Sequence, residues 1–194
     1  DVIKITATGG VLSVAKSGQN PQFTLEEIKA ITETSKNYGF TVAAHAHGDE
    51  GMKIAVMGGV NTIEHGTLMS EETMDLMIKN QCYLIPTISA GKQVAEKALI
   101  PGFFPDIVAK KALEIGPKHI ATMAKAYKKG VPMGFGTDAG VFPHGKNAIE
   151  FGYLLEAGIP VKQSLKQATI INAGLLDMQE KLGEIKPGYI ADII

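Results

Sequence analysis

Residues 41–66, TVAAHAHGDEGMKIAVMGGVNTIEHG, read as strand, loop, helix and strand, with a histidine at the end of each strand. Thr41-Val42-Ala43-Ala44 is a short apolar run that stops at His45-Ala46-His47-Gly48. Met52, Ala55 and Val56 then recur at helical spacing, and Gly58-Gly59 closes that helix. Val60-Asn61-Thr62-Ile63 leads on to Glu64-His65-Gly66. In a parallel sheet both histidines would emerge on one rim, at the strand ends where α/β enzymes keep their chemistry. Neutral imidazole is the commonest protein ligand for metal ions, so this stretch points to a metal site.

The rest of the chain follows the same alternation. Val2–Thr6 is an apolar strand interrupted by Lys4, and residues 13–22 form a polar loop. Thr24-Leu25-Glu26-Glu27 is a capping box; its helix shows Ile28, Ile31 and Tyr38 on one side and ends at Gly39. Ser70 caps a helix with Met74, Met77 and Ile78 on its apolar face, and residues 82–87 are the next strand. Residues 91–105, with Pro101 and Gly102, predict a long connection over the site. Residues 106–129 predict helix broken near Gly116-Pro117, and 131–137 a strand ending at Asp138. Helices over 147–157 and 161–173 follow, then a turn and strand over 183–194. Strands alternating with helices predict parallel β/α units, which fit both an open doubly wound sheet and a piece of a (β/α) barrel.

Several functions have little support. The net charge of -1 and 45% hydrophobic content give no reason to expect nucleic acid as a partner. The one cysteine, Cys82, excludes an internal disulfide and a Cys-rich zinc motif. No glycine-rich phosphate loop follows a strand.

Each candidate residue has a structural reading beside its functional one. A strand-end histidine is more often hydrogen-bonded than ligating, and an Asp such as Asp138 commonly caps a loop. Lys4 in an apolar strand needs a partner, a shifted pKa or a route to the rim. Together, Lys4, His45, His65 and Asp138 belong to four separate strands, and two imidazoles with a carboxylate suit zinc with an open position. The strand over 82–87 lacks an obvious ligand. His47 and His144 are placed to line a substrate pocket, while His119 in a helix reads as structural or as a support behind the ligands.

These motifs resemble the metal-dependent amidohydrolase superfamily, in its imidazolonepropionase-like and Xaa-Pro dipeptidase (prolidase-like) branch. The likeness rests on Ile3-Lys4-Ile5, Thr8-Gly9-Gly10-Val11-Leu12-Ser13, Ala44-His45-Ala46-His47-Gly48, Ile63-Glu64-His65-Gly66 and Gly136-Thr137-Asp138-Ala139-Gly140. Gly183-Glu184-Ile185-Lys186-Pro187-Gly188 with Ala191-Asp192 extends it to the tail. It implies the C-terminal portion, about strands 4–8, of a (β/α)8 TIM-like barrel of the metallo-dependent hydrolase type over residues 1–180. Residues 181–194 would begin the return to a small β-sandwich domain.

Carried over, Lys4 would bear a carbamate, formed from CO2, bridging two divalent metal ions, with zinc preferred. His45, His65 and Asp138 would complete the metal ligands, and Asp138 would act as general base and then acid. His47 and His144 would bind substrate. The implied enzyme is a zinc-dependent amidohydrolase acting on C–N bonds, peptide bonds included, through metal-activated hydroxide. A dipeptidase, carboxypeptidase or N-acyl amino acid hydrolase fits, with a small dipeptide or N-acyl amino acid as substrate. A cyclic-amide hydrolase of imidazolonepropionase type, with one metal and no carbamate, and a non-catalytic scaffold are the alternatives. The family's first-strand His-x-His pair has no counterpart, since His45-Ala46-His47 follows a different strand. The chain is therefore expected to be incomplete alone, to need the N-terminal half of the barrel as a partner, and to form a homo-oligomer.

Overall fold

The computed structural model describes residues 1–14 and 17–192. Residues 15 and 16 of the expected 13–22 loop, and 193 and 194 of the expected last strand, lie outside the described residues.

Strands β1 (Val2–Thr6), β2 (Thr41–Ala46), β3 (Thr62–His65) and β4 (Tyr83–Ile85) alternate with helices α1 (Leu25–Asn37), α2 (Asp49–Met57) and α3 (Glu71–Asn80). All neighbouring strands pair in parallel, in the order β1-β2-β3-β4. The order never reverses, so the sheet has no switch point of the doubly wound kind and follows the winding of a (β/α) barrel. Side chains alternate across it. Ile5, Val42, Ala44, Ala46, Ile63 and Leu84 are buried on the helix side with Ile28, Met52 and Met74. Lys4, His45 and Glu64 share the other face.

Local chemistry fixes the helix starts. Thr24 Oγ1 accepts from the Glu27 N–H at 3.3 Å, and Glu27 Oε2 accepts from the Thr24 N–H at 2.8 Å, which is the expected capping box. Ser70 Oγ caps α3 through the Thr73 N–H at 3.2 Å. Asp49, the first residue of α2, accepts from the Ser70 N–H at 2.8 Å and the Thr73 hydroxyl at 2.6 Å. The turns after β2 and β3 are thereby tied together where their histidines emerge.

Three expectations need correction. Most of the connection expected over 91–105 is helical: α4 (Ile88–Ala98) starts directly after β4 and is followed by α5 (Asp106–Ile115). The break expected near Gly116-Pro117 is present, as a short 3-10 turn, Gly116–Lys118, before α6 (His119–Lys129). The strand expected over 131–137 is reduced to a single parallel bridge between Met133 and Leu84. Pro132 has no N–H to donate, although its carbonyl accepts from the Leu84 N–H at 2.9 Å. Gly134 and Gly136 lie against Ile85, where an added Cβ would come within 2.7 and 2.5 Å of that side chain. After α7 (Ile149–Glu156) and α8 (Val161–Lys166), a π-helical stretch, Gln167–Ile171, leads into α9 (Asn172–Leu175). Residues 183–192 form turns, with no strand among the described residues.

Helix α2 lies close to the end of β1. A Cβ on Gly51 would sit 2.4 Å from Thr8 Cγ2 and 3.0 Å from the Ala7 carbonyl. Gly51→Ala is expected to lower the unfolding free energy by about 1–3 kcal/mol in urea titrations, as overpacking does. Gly152→Ala, whose Cβ in α7 would meet nothing within 4 Å, is expected to leave stability unchanged or raise it.

Candidate metal centre

The alternation of β2 turns His45 to the open face, and His47, two residues on, stays on that side. His65 closes β3 in a left-handed conformation with φ 71°. The three rings meet above the strand ends. Their centroids lie 4.8 Å apart for His45 and His47, 4.7 Å for His45 and His65, and 4.9 Å for His47 and His65. One potential ligand nitrogen from each falls within 4.8 Å of the other two.

Hydrogen bonds orient each ring. His47 Nδ1 is 3.0 Å from Thr67 Oγ1, and the His47 N–H donates to Thr8 Oγ1 at 3.0 Å. His65 Nδ1 lies 2.6 Å from Thr87 Oγ1. His45 Nε2 faces the Gly9 carbonyl at 3.4 Å. A carbonyl only accepts, so this contact puts the His45 proton on Nε2 and leaves Nδ1 for a ligand. The threonine bonds leave Nε2 of His47 and of His65 facing inward. His119, buried in α6, donates from Nε2 to the His65 carbonyl at 2.9 Å.

Enclosure keeps these imidazoles neutral. Burial, reinforced by neighbouring histidines, holds His47 and His65 well below the usual histidine range. Burial also lowers His45, with the Lys4 ammonium adding to the effect. His119 is brought down to about 4, chiefly by burial. Neutral nitrogen donors are the state a metal ion requires, so the trio could hold a metal ion.

A cavity of about 170 Å³ opens beside the trio, with Thr67, His119 and Asp138 also in its wall. Asp138 reaches it from an exposed position at the end of 131–137, with φ 55°. Partial burial raises its carboxyl pKa, and the nearby Lys4 ammonium opposes that rise. Lys4 itself is not among the cavity-lining residues. Its side chain is 53% exposed and forms an ion pair with Glu64, whose Oε1 accepts from the Thr62 hydroxyl at 2.6 Å. Glu64 thus supplies the partner that a lysine in this strand requires. His144 is exposed on the turn after Asp138, away from the cavity lining. The structure therefore joins His47 to His45 and His65, with Asp138 on the same cavity.

The amidohydrolase family model matches residues 1–194. The chain belongs to the amidohydrolase family. Among curated members, ochratoxinase of Aspergillus niger is 32% identical over all of this chain and 40% of its own length. A solved Xaa-Pro dipeptidase with methionine bound in its active site is 58% identical, with a TM-score of 0.94 over 98% of this chain and 47% of that one. A prolidase complexed with N-methylphosphonate-L-proline is 32% identical, with a TM-score of 0.89 over 98% of this chain and 46% of that one. The chain thus spans less than half of these relatives, and its four parallel strands form part of an amidohydrolase barrel.

The sequence places His47 on the pocket wall without grouping it with His45 and His65, and it does not single out Thr67 or Thr87. His47 belongs with His45 through the two-residue strand period, a signal the His-x-His spacing already carried. Thr67 and Thr87 carry no such signal, because they reach the rings only through the fold.

His119 makes the metal-free protein sensitive to acid. Its folded pKa lies below the ordinary histidine value of 6.5, so the unfolded chain binds the extra proton first. The stability this group contributes is complete above about pH 6.5 and is lost as pH falls towards about 4. Urea titrations with chelator present are expected to show wild type losing on the order of 2 kcal/mol more than His119→Gln between pH 7 and pH 5.

Proposed function

We propose that this chain supplies the metal-binding histidines and the proton-transfer carboxylate of an amidohydrolase that cleaves the C–N bond of a dipeptide or N-acyl amino acid. The activity is that of a complete barrel, of which these strands are one part. The observation that carries the reading is the convergence of His45, His47 and His65 beside Asp138 on one cavity.

His45, His47 and His65 would hold a divalent ion through their inward-facing nitrogens. That ion would polarise the scissile carbonyl and make water a competent nucleophile at neutral pH. Asp138 accepts the proton of the attacking water as the oxygen–carbon bond forms. It then delivers that proton to the amine nitrogen as the C–N bond breaks. A raised carboxyl pKa makes Asp138 a stronger base for the first transfer, and its rim position suits exchange with both groups.

The cavity wall argues for an apolar side chain on the substrate. Val11, Leu12, Val94, Ile115 and Val141 line it, and no lysine among the described residues does. The chain contains no arginine at all, so bidentate recognition of a substrate carboxylate is not available from these residues. Methionine bound in one relative's active site, and N-methylphosphonate-L-proline in the complex of another, agree with an apolar substrate.

Lys4 and Asp138 would hold a second ion if Lys4 takes up CO2. Carboxylation needs the amine neutral and released from Glu64, and the exposed Lys4 side chain is open to CO2. The Lys4–Glu64 ion pair favours a second reading, in which one ion sits on the histidine trio and Lys4 stays an ammonium. Elemental analysis of the assembled barrel, purified without chelators, separates the two: about two ions per protomer for the carbamate, about one without it. No ion, even after incubation with zinc and bicarbonate, would overturn both. Asp138→Asn is expected to lower kcat on an apolar dipeptide about 10²–10⁴-fold. An unchanged kcat would remove Asp138 from the mechanism.

A further inference from the structure

Strand β4 gives the histidine cluster no ligand, yet it ends next to His65. Thr87, which follows it, is 3% exposed and adopts φ 56°, ψ 38°, a conformation that β-branched residues rarely take. It is also the N-cap of α4. A threonine there ordinarily turns its hydroxyl onto the first free N–H groups of the helix. Here it makes no such bond. Its Oγ1 instead lies 2.6 Å from His65 Nδ1.

The free donors of α4 are taken by a distant residue. Glu150, in α7 and fully buried, accepts from the Ile88 N–H at 2.8 Å and from the Ser89 N–H at 2.7 Å. The Ser89 hydroxyl adds a third bond at 2.5 Å. A buried carboxylate persists only when its oxygens are this fully bonded. Thr87 is also fixed through its backbone, since its N–H donates to the Gly136 carbonyl at 3.2 Å, two residues before Asp138.

We infer that Thr87 is a positioning residue for His65, and that Glu150 caps α4 in its place so that the threonine hydroxyl is free to hold the ring. The inference rests on the proposed role of His65 as a metal ligand. By accepting from Nδ1–H, Thr87 selects the tautomer whose Nε2 lone pair faces the cavity. Thr87 touches neither substrate nor ion. Its effect is to remove the wrong ring orientation and the wrong tautomer before any ligand arrives.

The test uses the assembled barrel with Thr87→Val, which keeps the β-branch and removes the hydroxyl, and Thr87→Ser, which keeps the hydroxyl. Zinc affinity is read by competition with a chromophoric chelator. Thr87→Val is expected to weaken zinc about 10–100-fold, and Thr87→Ser to stay close to wild type. Equal affinity in the Val variant, or no rescue by Ser, would overturn the inference. Ring-nitrogen NMR of the metal-free protein reads the same bond without zinc: His65 should carry its proton on Nδ1 in wild type and Ser, and lose that preference in Val. If wild type binds no zinc, the metal reading fails, while the NMR result still decides the Thr87 contact. Glu150→Gln should weaken zinc in the Thr87 protein and add nothing to Thr87→Val; additive losses would break the link between Glu150 and Thr87.

Discussion

Parallel pairing of β2 with β3 sets His45 opposite Glu64 and Ala46 opposite His65, and the histidine cluster depends on that register. A slip of one residue would turn His45 to the helix side, where Val42, Ala44 and Ala46 are buried. Asn61 pins the register at the base. Its side-chain oxygen accepts from the Val42 N–H at 2.8 Å, and its own N–H donates to the Val42 carbonyl at 2.8 Å. The Asn61 carbonyl also accepts from the Tyr83 N–H at 2.9 Å, so one residue aligns three strands. The apolar helix side supplies the driving force, and the polar clamp supplies the alignment.

Placing several imidazoles together has an electrostatic cost that the surroundings control. Each proton gained by one ring is repelled by the others, and enclosure adds to that penalty. The residues that orient His47 and His65 are hydroxyls, from Thr67 and Thr87. Carboxylates in those places would pull protons onto the rings, whereas hydroxyls fix direction and leave the rings neutral. The backbone contributes as well. His65, Thr87 and Asp138, each at or just beyond the end of a strand segment, all have positive φ. Such conformations persist where surrounding bonds over-determine them, and functional sites are where they gather.

Much of this was legible in the sequence. Period-two alternation, the Thr24 capping box and the Ser70 cap marked the β/α order through α3, and the strand-end histidines marked the rim. Other parts were hidden for identifiable reasons. At the start of α4 the local cap residue, Thr87, does not cap the helix, and Glu150 provides the cap from more than sixty residues away. The stretch 131–137 is apolar like a strand, but Pro132 and its two close-packed glycines limit it to one bridge. The Lys4 partner, Glu64, lay inside a motif noted for its histidine. The contacts of Thr67 and Thr87 exist only once β3, β4 and their turns are assembled.

The unequal pairing of the strands has a mechanical consequence. His45 belongs to β2, which is paired over Thr41–His45 with β1 and over Ala43–Ala46 with β3, and His65 to its neighbour β3. Asp138 ends a segment joined to β4 by one bridge and a few backbone bonds. Stiffness is therefore concentrated under the imidazoles and compliance under the carboxylate. Ligands to an ion must hold their distances through a turnover, while a proton carrier must shift between a donor and an acceptor. On the proposed roles of these residues, the sheet would divide rigidity between the two tasks through the length of its hydrogen-bonded ladders.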